Sequence, residues 1–505
     1  MSWVLVALDR FAIEYPNRIA LKSATASLTY KQLLAAVTTL AAELQQTGTQ
    51  ALALAADNSP AWAVADLACI KAKIPLIPVP HFFSPAQIGY LLQQAGVDAL
   101  ITDRTESIEE LLRGLSIDHQ PAQQLYVTLK IIVIEAPEIK LPPDCAKITF
   151  TSGSTGEPKG VCLTQAAMET VAASLAESTG ACRDDCHLSL LPYATLLENI
   201  GGLYAPLLAG ATIVAPGMAG VGMSGAAGLD IGQFMAALHR SVATTCIMIP
   251  QMLHALIAAV EQGMQCPPGL RYIAVGGASV SPVLLERAEA LGLPVFEGYG
   301  LSEAASVVSV NRPGLCRPGS VGKPLPHVEL IVADDGEILV RGSLFSGYLG
   351  DAPHAKDDYW STGDIGYLDD DGFLFLSGRK KHIFITAFGR NVSPEWVERE
   401  LSIEPAIAQC CVFGEARPFN VAVIVARQGV DSKQVEPEQV EKAVAAANAR
   451  LPDYAGVSAW LAADEPFSVA NGLWTGTGRP RREHIFKAYA EKINVLYQEN
   501  LNGVL

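Results

Sequence analysis

The sequence predicts an α/β protein with a large N-terminal region of doubly wound, mixed sheets over residues 1–378 and a small α+β domain over residues 379–505. Three observations predict it. Short β-branched runs alternate with Ala/Leu-rich helical stretches over most of the chain, the pattern of βαβ units. That character changes after about Gly378, where Arg379, Lys380, Lys381 and His382 stand between a glycine and the apolar run Ile383 to Thr386. The 505 residues, half of them hydrophobic, are too many for one small domain and enough for several lobes with their own cores.

Taken in chain order, the stretch Met1 to Pro16 holds Asp9, Arg10 and Glu14 among its apolar residues and lacks the regions of a secretory signal, so a cytoplasmic protein is expected. With 36 Lys+Arg against 52 Asp+Glu the net charge is −16, which argues against a basic nucleic-acid binder, and the apolar content argues against disorder. Ser59-Pro60 opens a helix that ends at Lys73. Ile74 to Val79 follows as a strand, Ser84-Pro85 opens a second helix, and Ala99 to Thr102 is a further strand. Ten irregularly spaced cysteines suggest thiols and no structural disulfide. Cys182, Cys186 and His187 form a weak metal signal, since no second ligand pair accompanies them. Asn199 to Leu229 carries no charge and is long enough to span a bilayer, but eight glycines and two prolines interrupt it. A buried strand, Ala211 to Val214, between Gly-rich loops is expected there. No transmembrane segment is predicted, and peripheral contact with a membrane surface stays open. Beyond Gly378, a helix over Pro394 to Leu401 and strands over Ala408 to Phe413 and Val421 to Ala426 complete the small domain.

The most informative segment runs from Ile148 to Gly160. A strand ends at Phe150, and the next ten residues hold three glycines, four hydroxyls and Lys159. Glycines let backbone N–H groups face a bound anion, hydroxyls donate further hydrogen bonds, and the lysine adds a point charge. The composition suits a polyphosphate cradle, although an ordinary polar turn has the same residues. Neither the P-loop nor the dinucleotide-binding glycine spacing is present.

Thr151-Ser152-Gly153-Ser154-Thr155-Gly156-Glu157-Pro158-Lys159-Gly160 resembles, position for position, the phosphate loop of the adenylate-forming (AMP-binding) superfamily, which contains acyl-CoA synthetases, peptide-synthetase adenylation domains and luciferases. Further motifs follow in that superfamily's order. Gly276-Gly277-Ala278-Ser279 resembles its adenine pocket, Tyr299-Gly300-Leu301-Ser302-Glu303 its Y-G-x-T-E motif, and Ser361-Thr362-Gly363-Asp364 its T-G-D motif. Gly378-Arg379 with Lys381 looks like its inter-domain hinge, and Gly389 to Pro394 like the loop that follows. The likeness covers about residues 10–490.

The resemblance implies that a carboxylate attacks ATP to give acyl-AMP and pyrophosphate, after which a thiol takes the acyl group and releases AMP. It implies Glu303 as the Mg²⁺ ligand, Thr151 and Ser302 as hydroxyls toward the phosphates, and Tyr299 as a flat face near adenine. Asp364 would accept both ribose hydroxyls, supported by Arg379. Lys381 would be the hinge of a mobile small domain, whose rotation brings the Gly389 loop to the thiol tunnel. Leu190 to Asn199 is similar to the long-chain synthetase motif L-P-L-A-H-x-F-E, placing Tyr193, Thr195 and Glu198 at the acyl pocket, with Thr195 where histidine is usual. Asn471 to Arg482 aligns with N-G-L-L-T-P-T-x-K-x-K-R, and Arg479 stands where the superfamily has a catalytic lysine. Arginine keeps the charge but presents it as a planar fork.

The leading expectation is therefore an ATP-dependent ligase joining a fatty or other apolar carboxylic acid to CoA. An acyl-AMP ligase that loads the phosphopantetheine thiol of an acyl carrier protein is the alternative. A lapsed adenylate-binding protein is a third, prompted by Arg479 and Thr195. The residues specify neither acyl chain length nor oligomeric state.

Overall fold

Ser59 and Ser84 each precede a proline, and each caps the helix that its spacing announces. Ser59 accepts the Trp62 N–H at the start of Pro60–Ala72. Ser84 and Gln87 form a reciprocal capping box at the start of Pro85–Gln94. Proline at the first helical position has no N–H to leave unsatisfied and a φ already suited to the helix. A computed structural model describes residues 1–151, 158–224, 228–355, 357–427, 436–475 and 478–500.

Among these residues the large lobe contains two extensive mixed sheets. In the nine-stranded sheet, Ile19–Lys22, Thr212–Val214, Cys186–Leu188, Thr245–Met248, Tyr272–Val275 and Val295–Tyr299 run parallel, with antiparallel strands at both edges. In the eight-stranded sheet, Cys145–Thr151, Leu76–Pro78, Leu52–Ala55 and Ala99–Thr102 are the parallel strands. Buried runs such as Leu52 to Ala55 fit sheets covered on both faces. A four-stranded antiparallel sheet follows, made of Glu329–Val332, Glu337–Arg341, Trp360–Leu368 and Leu374–Arg379.

The small lobe holds a short hairpin of Phe384–Ile385 and Asn391–Val392 and a three-stranded sheet of Ile407–Phe413, Asn420–Ala426 and Val457–Ala462. Helices Pro394–Ser402, Pro437–Asn448 and Arg482–Asn500 pack on these strands.

The apolar stretch after Asn199 differs from its reading as loop. It continues the short helix Leu196–Glu198 as a π-helix over Asn199–Tyr204 and an α-helix over Ala205–Ala209 before the strand Thr212–Val214. The glycines are there for space. A Cβ on Gly202 would stand 2.1 Å from Glu198 Oε1, and one on Gly201 would stand 2.8 Å from Ile247 Cδ1. Pro206 lies in the first turn of its helix, where proline is tolerated. Among the described residues, no helix is long and apolar enough to cross a membrane.

Between the two large sheets lies a fully buried polar knot. Lys147 donates to Asp66 Oδ1 at 2.6 Å, to Asn199 Oδ1 and to the Tyr204 hydroxyl at 3.0 Å, and Tyr204 donates to Asp66 Oδ2 at 2.7 Å. It ties the strand Cys145–Thr151 to the π-helix. A buried charge pair is tolerated when its hydrogen bonds are satisfied in this way.

Candidate functional site

The strand Cys145–Thr151 and the strand Lys159–Thr164 pair antiparallel with Thr151 opposite Lys159. Ser152, Gly153, Ser154, Thr155 and Gly156 lie outside the described residues. Thr151 and Lys159 both line a cavity of about 3030 Å³ that extends between the two lobes. The Lys159 ammonium sits 4.8 Å from the centre of the Tyr348 ring, and the Tyr348 hydroxyl donates to Glu303 Oε1 at 2.6 Å. Burial, with Glu303 as acceptor, holds the Tyr348 hydroxyl protonated, well above its ordinary pKa.

Glu303 sits in one turn of 3₁₀ helix, Ser302–Ala304, immediately after the strand that ends at Tyr299. The sharp reversal requires Gly300, because a Cβ there would lie 1.6 Å from the Ser306 carbonyl oxygen. Ala305 and Ser306 then take positive φ values of 49° and 101°, a local strain of the kind that collects at functional sites.

Tyr299 donates to Asp364 Oδ2 at 2.6 Å, and Arg379 Nε holds Asp364 Oδ1 at 2.9 Å. The antiparallel register of Trp360–Leu368 with Leu374–Arg379 puts Asp364 directly opposite Arg379. Burial raises the Asp364 carboxyl above its usual value, while the Arg379 charge and the Tyr299 hydrogen bond oppose that rise. Each carboxylate oxygen retains acceptor capacity, so a ribose diol can be held without breaking either contact.

Arg479 reaches across from the small lobe and donates to the carbonyl of Gly277, in the loop Gly276 to Ser279 that follows the strand Tyr272–Val275. Much of its side chain stays open to cleft water, yet protein crowds it closely enough to disfavour its charge. The nearby Arg379 adds to that effect, and Asp364 and Glu395 oppose it. The structure therefore brings Thr151, Lys159, Gly277, Ala278, Ser279, Tyr299, Gly300, Ser302, Glu303, Asp364, Arg379, Lys381 and Arg479 to one cavity. Gly389, at φ +73 with open space around it, is not among the residues lining it.

The three residues expected at the acyl pocket divide. Thr195 lines the cavity, with its hydroxyl donating to the Pro192 carbonyl at 2.6 Å. Tyr193 is turned into the core instead, its ring tilted 35° against Trp62 with centroids 5.1 Å apart and its hydroxyl 2.8 Å from Ser189 Oγ. Glu198 is also buried, 3.0 Å from His187 Nε2, while His187 Nδ1 meets Thr245 Oγ1 at 3.0 Å. The pull of these fixed partners corrects the placement of Tyr193 and Glu198 in the pocket lining. It also accounts for His187, which stands apart from any metal set, and among the described residues no group of three or more His, Cys, Asp or Glu could hold an ion.

Sequence reasoning missed two features. Glu297 is buried at the cavity wall, accepts the Val280 N–H at 3.1 Å and is pushed up to about 7 by burial. His187 lines the same cavity, and its pairing with Glu198 was unread. Single charged or polar residues inside apolar runs were the available signals. Besides Thr195 and Gly201, the lining includes the apolar Leu191, Leu196, Leu197, Met218, Met223 and Ile247, with His187 and Thr245 as polar members.

A family model described as AMP-binding enzyme matches residues 8–349, and one described as AMP-binding enzyme C-terminal domain matches residues 381–501. The chain is 26% identical to the long-chain-fatty-acid–CoA ligase FadD15 of Mycobacterium bovis, over 87% of this chain and 86% of that protein. It is 30% identical to a 2-succinylbenzoate–CoA ligase of Bacillus velezensis, over 80% of this chain and 83% of that one. Its fold matches the anthranilate CoA ligase AuaEII bound to anthranoyl-AMP at a TM-score of 0.80, with 20% identity and 97% of each chain covered. It also matches the o-succinylbenzoate CoA synthetase of Bacillus subtilis in complex with AMP, at a TM-score of 0.74 with 24% identity, over 94% of this chain and 97% of that one.

Proposed function

Because the chain belongs to the AMP-binding enzyme family, as an AMP-forming acid–CoA ligase, we propose that it activates a fatty or similarly apolar carboxylic acid with ATP and passes the acyl group to CoA. The observation that carries the reading is the convergence of Glu303, Tyr299, Asp364, Arg379 and Arg479 on one cavity that is also lined by apolar residues such as Leu191, Leu197 and Met223.

In the first step the acid's carboxylate attacks the α-phosphorus of ATP, forming a mixed anhydride while the bond to pyrophosphate breaks. Two anions must meet, so cationic groups have to neutralise them. Arg479 and Lys159 are among the cations that line the cavity. Asp364, held by Tyr299 and Arg379, orients the ribose. Glu303 fits Mg²⁺, since one carboxylate together with substrate phosphates is an ordinary magnesium environment, and the ion would neutralise phosphate charge. In the second step a thiolate attacks the acyl carbonyl, the thioester bond forms, and AMP leaves with the electron pair of the broken anhydride bond. We assign Lys381 as the hinge of a small domain that begins near residue 379 and rotates between the steps, bringing the Gly389 loop to the thiol.

The apolar lining near Thr195 and the absence of charge between Asn199 and Leu229 favour a plain acid over an amino acid. Pyrophosphate release is the test, measured across fatty, aromatic and amino acids with and without CoA. Activity on fatty acids that yields acyl-CoA supports the reading. Activity confined to aromatic acids, or acyl-AMP released without thioester until a carrier protein is supplied, overturns its substrate or its acceptor.

A further inference from the structure

Arg479 lies in the stretch between Trp474 and Pro480, from which its guanidinium donates to the Gly277 carbonyl of the large lobe. The loop is closed at its base by the bridge between Trp474 and Pro480 and by the Arg481 N–H on the Leu473 carbonyl at 2.9 Å. Within it the Arg479 N–H donates to Thr475 Oγ1 at 2.9 Å. On its N-terminal side the loop is held to the small lobe by the Trp474 N–H on the Ser468 carbonyl at 3.1 Å and by the Trp474 ring stacked on Phe467 with centroids 5.9 Å apart, and on its C-terminal side it leads into Arg482.

Three residues on, Arg482 opens the helix Arg482–Asn500 and leaves only 16% of its side chain exposed. Its guanidinium donates to Glu398 Oε1 at 2.6 Å, to Glu398 Oε2 at 2.9 Å and to the Val412 carbonyl at 2.8 Å. Glu398 in turn accepts the Val412 N–H at 2.7 Å. One buried fork thus joins three elements: the helix Pro394–Ser402, the strand Ile407–Phe413 and the start of the final helix. A second carboxylate of the same short helix, Glu395, lies 3.9 Å from Arg482 and bonds to His382, the neighbour of Lys381. The network therefore runs from the segment beside Lys381 to the foot of the Arg479 loop.

A positive charge at a helix N-terminus opposes the helix dipole, and a buried ion pair is often no more stable than an apolar pair of similar volume. Stability alone does not account for this arrangement. A bidentate fork does supply geometric precision that an apolar contact lacks. We propose that Arg482, clamped by Glu398, is a positioning residue that aims the Arg479 loop into the cleft for the adenylation step.

The proposal rests on the reading of Arg479 given above, and the test separates the two. Arg482→Met alone would strand the Glu398 charge in the interior and threaten folding, so the informative variant is Arg482→Met with Glu398→Met, which removes both charges and keeps the volume. Melting temperature, ATP–pyrophosphate exchange and conversion of supplied acyl-AMP with CoA to thioester are measured on the full chain. The expected result is a folded protein with a melting temperature near wild type, kcat for exchange down by about 10- to 100-fold, KM for ATP little changed, and thioester formation within about threefold of wild type. Arg482→Lys, which keeps the charge but not the fork, should recover part of the loss. Exchange at the wild-type rate in the double variant, or an equal fall in both half-reactions, overturns the proposal. Arg479→Ala run alongside is the control: wild-type exchange in that variant defeats the reading of Arg479 itself, whatever the clamp does.

Discussion

Asp364 and Arg479 carry the predictions that depend on single side chains. Asp364→Ala removes the acceptor that would hold both ribose hydroxyls and leaves Tyr299 and Arg379 without their shared partner. A charge-assisted hydrogen bond is worth about 1.5–3 kcal/mol, so ATP and AMP should both bind roughly 10- to 150-fold more weakly by calorimetry. Equal affinity in variant and wild type would refute the assignment. Arg479→Ala should slow pyrophosphate release by about 10²–10³ and spare conversion of supplied acyl-AMP, as expected for a lost contact to developing charge. Arg479→Lys should retain the first step. Asp364, Glu303 and Tyr299 were legible in the sequence because each sits in a short motif whose neighbours also have chemical reasons. The Lys147–Asp66 pair and the His187–Glu198 pair were not, because their partners are 81 and 11 residues apart and only the packing brings them together. Tyr193 was misread for a related reason: its motif position was clear, but the Trp62 and Ser189 contacts that turn it inward are tertiary.

Helix caps and short buried strands were legible as elements because their signals are local. Ser59, Ser84 and the run Ala99 to Thr102 needed no partner to be read. The π-helix Asn199–Tyr204 was not legible, since its glycines resemble loop glycines until Glu198 and Ile247 are known to lie against them. This element makes a prediction about chain length. Gly201 lines the cavity, where a Cβ would meet Ile247 at 2.8 Å and Leu175 at 3.9 Å, so a side chain there closes the gap between sheet and helix. Gly201→Val should lower kcat/KM for long acids relative to short ones by roughly 10- to 200-fold, the range seen when pocket volume alone discriminates. A parallel fall for acids of every length would place Gly201 outside the acyl path.

Across the whole molecule, two contacts outside the proposed chemistry tie its parts together. His327, in the segment before the four-stranded sheet, meets Ser174 Oγ at 2.8 Å, and burial lowers its pKa to about 4. Above pH 6.5 both folded and unfolded forms are neutral there and the group contributes nothing. Below that the unfolded chain binds a proton that the folded one refuses, so stability falls until about pH 4, by at most roughly 3 kcal/mol. His327→Gln should flatten that loss in urea titrations between pH 7 and pH 4.5, and an unchanged slope would dismiss the role. Gly378 joins the four-stranded sheet to the small lobe at φ +150, where a Cβ would fall 2.1 Å from Ser393 Oγ. Gly378→Ala should force the lobes out of this juxtaposition and slow ATP–pyrophosphate exchange by roughly 5- to 150-fold, from a strain of about 1–3 kcal/mol. A normal exchange rate would show that the lobes adapt. The ordered motifs made the two-lobe plan legible, whereas the contacts between lobes left no periodic trace in the chain. One such contact has a thermodynamic reach of its own. Asp364 pairs in register with Arg379, the last residue of its strand, and the proposed hinge Lys381 stands two residues further on in the turn that follows, so the carboxylate proposed to hold the ribose and the proposed pivot are joined through one strand end. If AMP favours one lobe orientation by some factor, linkage requires that orientation to bind AMP tighter by the same factor. Product retention and the swing of the small lobe are then one coupling free energy, measurable either as an AMP dissociation constant or as a population of lobe orientations.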